Sequence, residues 1–176
     1  MSMRIAVRAE LRHVVVWAAA TFVFHLAWES THVRLYTIWS DPDRWYVARA
    51  VLHCTLGDVV IALVPFGVTS WLFLRTDWPM RRPLSGTALV VAATVLFTVW
   101  SEWNNVYRVG LWAYAPEMPT ILGIGLSPLL QWILIPPLTV LTFRTVYSLL
   151  SKLGNRSLAP EPLTSPRTTT TNRSGE

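Results

Sequence analysis

Apolar positions along the chain gather into four long runs, from about Leu11 to Ser30, Ala48 to Leu74, Leu84 to Trp103 and Ile121 to Leu149. A helix needs about 20 predominantly apolar residues to cross the hydrocarbon core of a bilayer. Each run meets that length, so the pattern predicts an all-α membrane protein whose four transmembrane helices form an antiparallel bundle. The second and fourth runs exceed the requirement and are expected to tilt, kink or project from the bilayer. Pro65, Pro128 and the Pro136-Pro137 pair are the expected kink points. In the first connection, Thr31 to Trp45, a short interfacial helix is expected after Asp41-Pro42. The four-helix domain is read as residues 1–153. From Gly154 the composition turns to Pro, Thr, Ser and Arg, with almost nothing apolar after Leu163, which predicts a disordered tail over 154–176.

Composition agrees with that pattern. The chain is 52% hydrophobic and 14% charged with a mean hydropathy of +0.39, against about 25% charged residues in an ordinary soluble domain. The ten tryptophans suit an interfacial belt, with Trp28, Trp39, Trp45, Trp103 and Trp112 at one surface and Trp17, Trp71 and Trp78 at the other. A net charge of +5 does not point to nucleic acid, because the basic residues cluster at the ends of the apolar runs and in the tail, where topology uses them. The one cysteine, Cys54, excludes an intrachain disulfide.

Orientation follows from the loops. Arg4, Arg8 and Arg12 precede the first run, which has no small-x-small cleavage site and so resembles an uncleaved signal anchor. Arg75, Arg81 and Arg82 fill the second connection, and Arg144, Lys152, Arg156, Arg167 and Arg173 the C-terminal end. The first connection carries Arg34, Arg44 and Arg49, offset by Asp41 and Asp43, and the third only Arg108. The positive-inside rule then expects a multi-pass protein of the cell (inner) membrane with both termini cytoplasmic.

Against this apolar background the ionisable residues stand out. His25, Glu29, His53, Asp58 and Glu102 lie in or at the edges of the runs. Charged groups in a span are costly and ordinarily face a protein interior or a wet cavity. Opposite chain directions bring these five to one level, on the outer side in the expected orientation. His25, Glu29 and His32 follow i, i+4, i+7 and share a helical face. His53 and Asp58 are roughly 140° apart around their helix, so an undistorted helix does not aim both at one point. Ser101 and Asn105 align on the third run.

Three readings of the cluster arise. In the first, lipid or isoprenoid binding or modification, His25 and Glu29 form an acid/base pair and Glu102 is a second carboxylate. His53, Asp58, Asn105, Trp28, Trp103 and Trp112 then contact the substrate, the rings and carboxylates stabilising a developing cation. In the second, His25, His32 and His53 with Glu29 or Glu102 hold a metal or haem, although no compact ligand motif is present. In the third, the groups are interhelical hydrogen-bonding glue in a non-catalytic accessory protein, at about 0.6 kcal/mol per bond. For His32, Glu117 and Tyr114, near the span ends, that structural reading is the stronger. The sequence specifies no cofactor and no oligomeric state.

Two short stretches carry resemblances. Gly110-Leu-Trp112-Ala-Tyr114, the Gly-Ile-Gly-Leu run and Pro128 resemble the membrane lycopene cyclase domains of carotenoid biosynthesis, over about a seventh of the chain. The chain departs from that family at Leu129, Leu130 and Gln131, where paired glutamates follow the proline. His25 with Glu29 resembles the membrane sterol isomerases of the emopamil-binding type, on those two residues alone. Neither resemblance transfers a catalytic residue.

Overall fold

The computed structural model describes residues 2–157. The chain forms α1 (Ser2–His32), α2 (Arg44–Leu72), a single turn α3 (Trp78–Arg81), α4 (Pro83–Glu102) and α5 (Leu126–Ser157). Four of these are long and apolar enough to cross a membrane. α1 packs on α2 and α5, and α4 packs on the same two. The order round the bundle is therefore α1–α2–α4–α5, with every neighbour antiparallel. Helix α5 continues past the expected boundary at Gly154 to Ser157. The tail expected beyond it falls, from 158 onward, outside the described residues.

Local chemistry fixes the helix ends. The carboxylate of Asp43 accepts from the backbone N–H groups of Trp45 at 2.9 Å and Tyr46 at 3.1 Å, capping α2. No separate helix follows Asp41-Pro42, because α2 itself begins at Arg44. The connection instead makes two 3-10 turns before Asp41, Val33–Leu35 and Thr37–Ser40. Helix α4 widens into a π-helical segment, Trp103–Val109, which stops at Gly110 with φ +71°, a left-handed end that glycine adopts without steric cost.

One pole of the bundle holds the apolar core of Trp17, Phe66, Trp78, Val90, Val140 and Phe143. Trp17 and Trp78, expected at the interface, are fully buried. The turn at α3 folds the Trp78 indole under the helices, where it lies 5.4 Å from the Trp17 ring, itself stacked on Phe66 at 4.8 Å. Gly86 makes this possible, since a Cβ at that position would overlap the Trp78 ring. Gly86→Ala is expected to cost about 1–3 kcal/mol through overpacking, read as a lower thermal midpoint in detergent.

Asp77 braces the same pole, bonding the Nε atoms of Arg75 at 2.6 Å and Arg81 at 2.8 Å. Partial burial pushes its carboxyl up, but hydrogen bonds and charge from Arg81 and Arg75 outweigh this and hold it below the usual 3.8. A depressed carboxyl stabilises the fold fully above its unfolded pKa and loses that contribution as pH falls through the folded value. Asp77→Asn should remove about 1 kcal/mol at neutral pH. It should also flatten the loss of stability below pH 3.8 in a thermal melt series.

At the opposite pole the two connections pair with each other. Thr37 N–H donates to Ala113 O at 3.0 Å and Ala115 N–H to Leu35 O at 2.9 Å, so Tyr36 and Tyr114 face one another across a β-bridge. The start of the fourth apolar run is not helical. Thr120–Ile121 (β1) and Ile124–Gly125 (β2) form a minimal antiparallel hairpin. Its two turn residues, Leu122 at φ +51° and Gly123 at φ +81°, have the left-handed pair that suits a tight hairpin. Gly123 and Gly125 thus serve this turn.

Candidate functional site

All four spanning helices deliver polar side chains to a cavity of about 370 Å³ beneath the paired connections. Glu29 comes from α1, Asp58 from α2, Glu102 from the end of α4 and Gln131 from α5. Glu29 and Glu102 are 7% and 6% exposed, so both carboxyl groups are held by protein partners rather than by solvent.

One wall is organised around the Gln131 amide. Its Nε2 lies 3.0 Å from Glu29 Oε1, 2.9 Å from Asp58 Oδ2 and 2.8 Å from His25 Nδ1. An amide nitrogen carries two hydrogens, so it serves two of these three groups at a time. His25 Nδ1 also meets Asp58 Oδ2 at 3.2 Å, which supplies the remaining contact. Proton placement on His25, Asp58 and Glu29 is therefore tied to the direction of one amide. Glu29 Oε1 also bonds His32 Nε2 at 3.0 Å, and His32 Nδ1 meets Ser127 Oγ at 2.9 Å. The i, i+3 spacing of Glu29 and His32 puts them one turn apart, and Ser127 in the first turn of α5 orients the ring.

The other wall is built on Glu102. The hydroxyls of Tyr114, at 2.5 Å, and Tyr36, at 3.5 Å, both donate to its Oε2. Tyr114 in turn accepts from the Gly125 N–H at 2.9 Å, so the hairpin aims the tyrosine at the carboxylate. A side chain at Gly125 would press on the Tyr114 ring. Burial, reinforced by Glu102, pushes both phenols well above their ordinary value, so both stay protonated donors at any physiological pH.

The residues expected from sequence fall into two groups. Glu29, His53, Asp58, Glu102 and Trp112 line the cavity. His53 and Asp58 both reach it, although they point differently around α2, because the cavity is extended and takes them at different levels. His53 is exposed while Asp58 is largely covered. His25 does not line the cavity. It is fully buried behind the wall, against Trp132 with ring centroids 4.6 Å apart, and its Nε2 has no hydrogen-bond partner.

Trp28, Trp103 and Asn105 are also outside the lining. The Trp28 ring sits 6.5 Å from His32, and Trp103 lies under the Arg108 guanidinium. Asn105 Nδ2 donates to Ser101 Oγ at 3.1 Å one turn back. Gln131, Ser127 and Trp132 join the site without having been expected. Tyr114 and His32, expected as structural, are direct partners of the carboxylates. Among the described residues, no three His, Cys, Asp or Glu side chains are placed to hold a metal ion, so the metal reading finds no ligand set there.

The arrangement gives two walls of buried carboxyl groups from different helices, bridged by aromatic and aliphatic surface. Comparison with protein families, curated proteins and solved structures finds no match, so the functional reading rests on this geometry.

Proposed function

We propose that this membrane protein binds a lipid or isoprenoid in the cavity and transforms it by proton transfer between the two walls. The observation that carries the reading is the convergence of Glu29, Asp58 and Glu102, from three helices, on a single cavity inside apolar spans. Carboxyl groups at such depth are expensive, and interhelical glue does not require three of them around an empty volume.

Glu102 exchanges the proton on one side of the substrate, held in place by Tyr36 and Tyr114. Glu29 and Asp58 exchange it on the other, with Gln131 and His32 setting their orientation. His25 acts as a positioning residue through Asp58. A shift of a carbon–carbon double bond fits this pair of walls. A proton adds at one carbon from one wall and another leaves a second carbon to the other wall, so the net charge is unchanged and no oxidant or reductant is needed; proton exchange with water then resets the two walls. Trp112 and Trp132 provide π-faces for the cationic stage.

In keeping with the loop charges, we place the cavity at the outer surface, with both termini cytoplasmic. A reporter fused after Glu176 should be active on the cytoplasmic side; outward activity would reverse the assignment. For the reaction, lipids extracted from membranes with and without the protein should differ by a pair of isomers of equal mass. An identical isomer profile at full expression would contradict the proton-transfer reading.

A further inference from the structure

A second cavity of about 540 Å³ lies in the seam between α2 and α4. Ile61 and Phe97 belong to the walls of both cavities, so the two adjoin end to end. On α2 the second cavity is walled by Val60, Val64, Val68 and Leu72, each half exposed or more. These recur every fourth residue and form one stripe. On α4, Leu89, Ala93 and Phe97 form the matching stripe. Thr94 adds no polar demand, because its hydroxyl is bonded back to Val90 O at 2.8 Å.

Polarity changes at the same level on both walls. On α2 the apolar stripe gives way between Ile61 and Asp58, and on α4 between Phe97 and Ser101 with Glu102. The adjoining pair is thus polar at one end and apolar along the rest. Either cavity alone falls in the ~300–1,000 Å³ range of a ligand pocket, so together they exceed the needs of a headgroup-sized ligand. From Asp58 to Leu72 the groove runs about 21 Å at ~1.5 Å per residue. That outreaches one leaflet, roughly half of the ~30 Å hydrocarbon core.

We infer that the substrate is a single long apolar chain with one polar end, its end held at the Glu102 cavity and its chain laid along the α2–α4 seam. This rests on the lipid reading of the polar cavity and adds chain length as the feature selected. An ordinary phospholipid presents two chains, each confined to one leaflet, and matches neither the single groove nor its length.

The test titrates the full-length protein in detergent with all-trans geranylgeraniol and with geraniol. Both are isoprenoid alcohols with the same polar end and differ in chain length. Binding is followed by fluorescence of the tryptophans and expressed as mole fraction in the micelle. Native protein should prefer the long alcohol by at least ~10-fold, since the longer chain makes packing contacts along the groove that geraniol cannot reach. Ala93→Phe and Val64→Trp, both at exposed helix positions, should each cut the preference to within about twofold while geraniol still binds. Equal affinity for the two alcohols, or a preference that survives both variants, would overturn the groove and leave the polar cavity standing. The same holds if the variants lose only co-purified phospholipid. If neither alcohol binds, both readings fall.

Discussion

Glu102→Gln should lower the rate at which the substrate lipid is converted by about 10²–10⁴-fold, the usual worth of a positioned general acid or base. The substitution keeps the shape and both tyrosine partners, because an amide oxygen still accepts from Tyr36 and Tyr114. The fold should therefore survive, with a thermal midpoint close to that of the native protein. Only the ability to give and take a proton is removed. Conversion is measured as the isomer ratio in lipid extracts from cells expressing each form at equal level. A ratio unchanged by Glu102→Gln would show that this carboxyl group does not carry the reaction. Tyr114→Phe serves as the graded control. It frees one lone pair of Oε2 without removing the carboxyl group and should lose less activity than Glu102→Gln.

The second large effect is on stability. Gln131→Leu removes the amide that bridges Glu29 and Asp58 and leaves two of its three buried partners short of a hydrogen bond. Interhelical bonds in membranes contribute about 0.6 kcal/mol each, so two amount to about 1.2 kcal/mol, and each buried group left without a partner costs more. A loss of about 2–3 kcal/mol is expected, measured by unfolding in mixed micelles. Recovery should follow when Asp58→Asn is added, because the new amide supplies the donor that Glu29 has lost. Additive losses in the double variant would mean that Gln131 and Asp58 act independently.

Much of this architecture is legible in the sequence because a bilayer demands length and apolarity, and both are visible residue by residue. The four runs correspond to α1, α2, α4 and α5. Their ends are less legible. Ile121 to Gly125 reads as the start of a span, yet it turns as a hairpin, since a short apolar run has no periodicity that separates strand from helix. Trp17 and Trp78 read as interfacial by residue type. Only the tertiary turn at α3, admitted by Gly86, takes both into the core.

The site divides along the same line. Glu29, Asp58 and Glu102 stand out because a charge in an apolar run is rare. Gln131 carries no charge and sits between Leu130 and Trp132 as one more residue of a span. Its role appears only when α5 is packed between α1 and α4. Tyr114 lies in a loop, and nothing local says that a bridge to Tyr36 will turn it onto Glu102. Helical spacing ranks His25 with Glu29, but one turn of depth separates a residue behind the wall from one that lines it.

The central claim is that the polar cavity is a binding site for a lipid rather than a set of hydrogen bonds between helices. Native mass spectrometry of the full-length protein, released from gentle detergent, tests it most directly. A single retained lipid per chain is expected. It should persist in Glu102→Gln and should be displaced from the native protein by geranylgeraniol. A chain that flies lipid-free under conditions that preserve the fold, and that takes up no added isoprenoid alcohol, would contradict the claim.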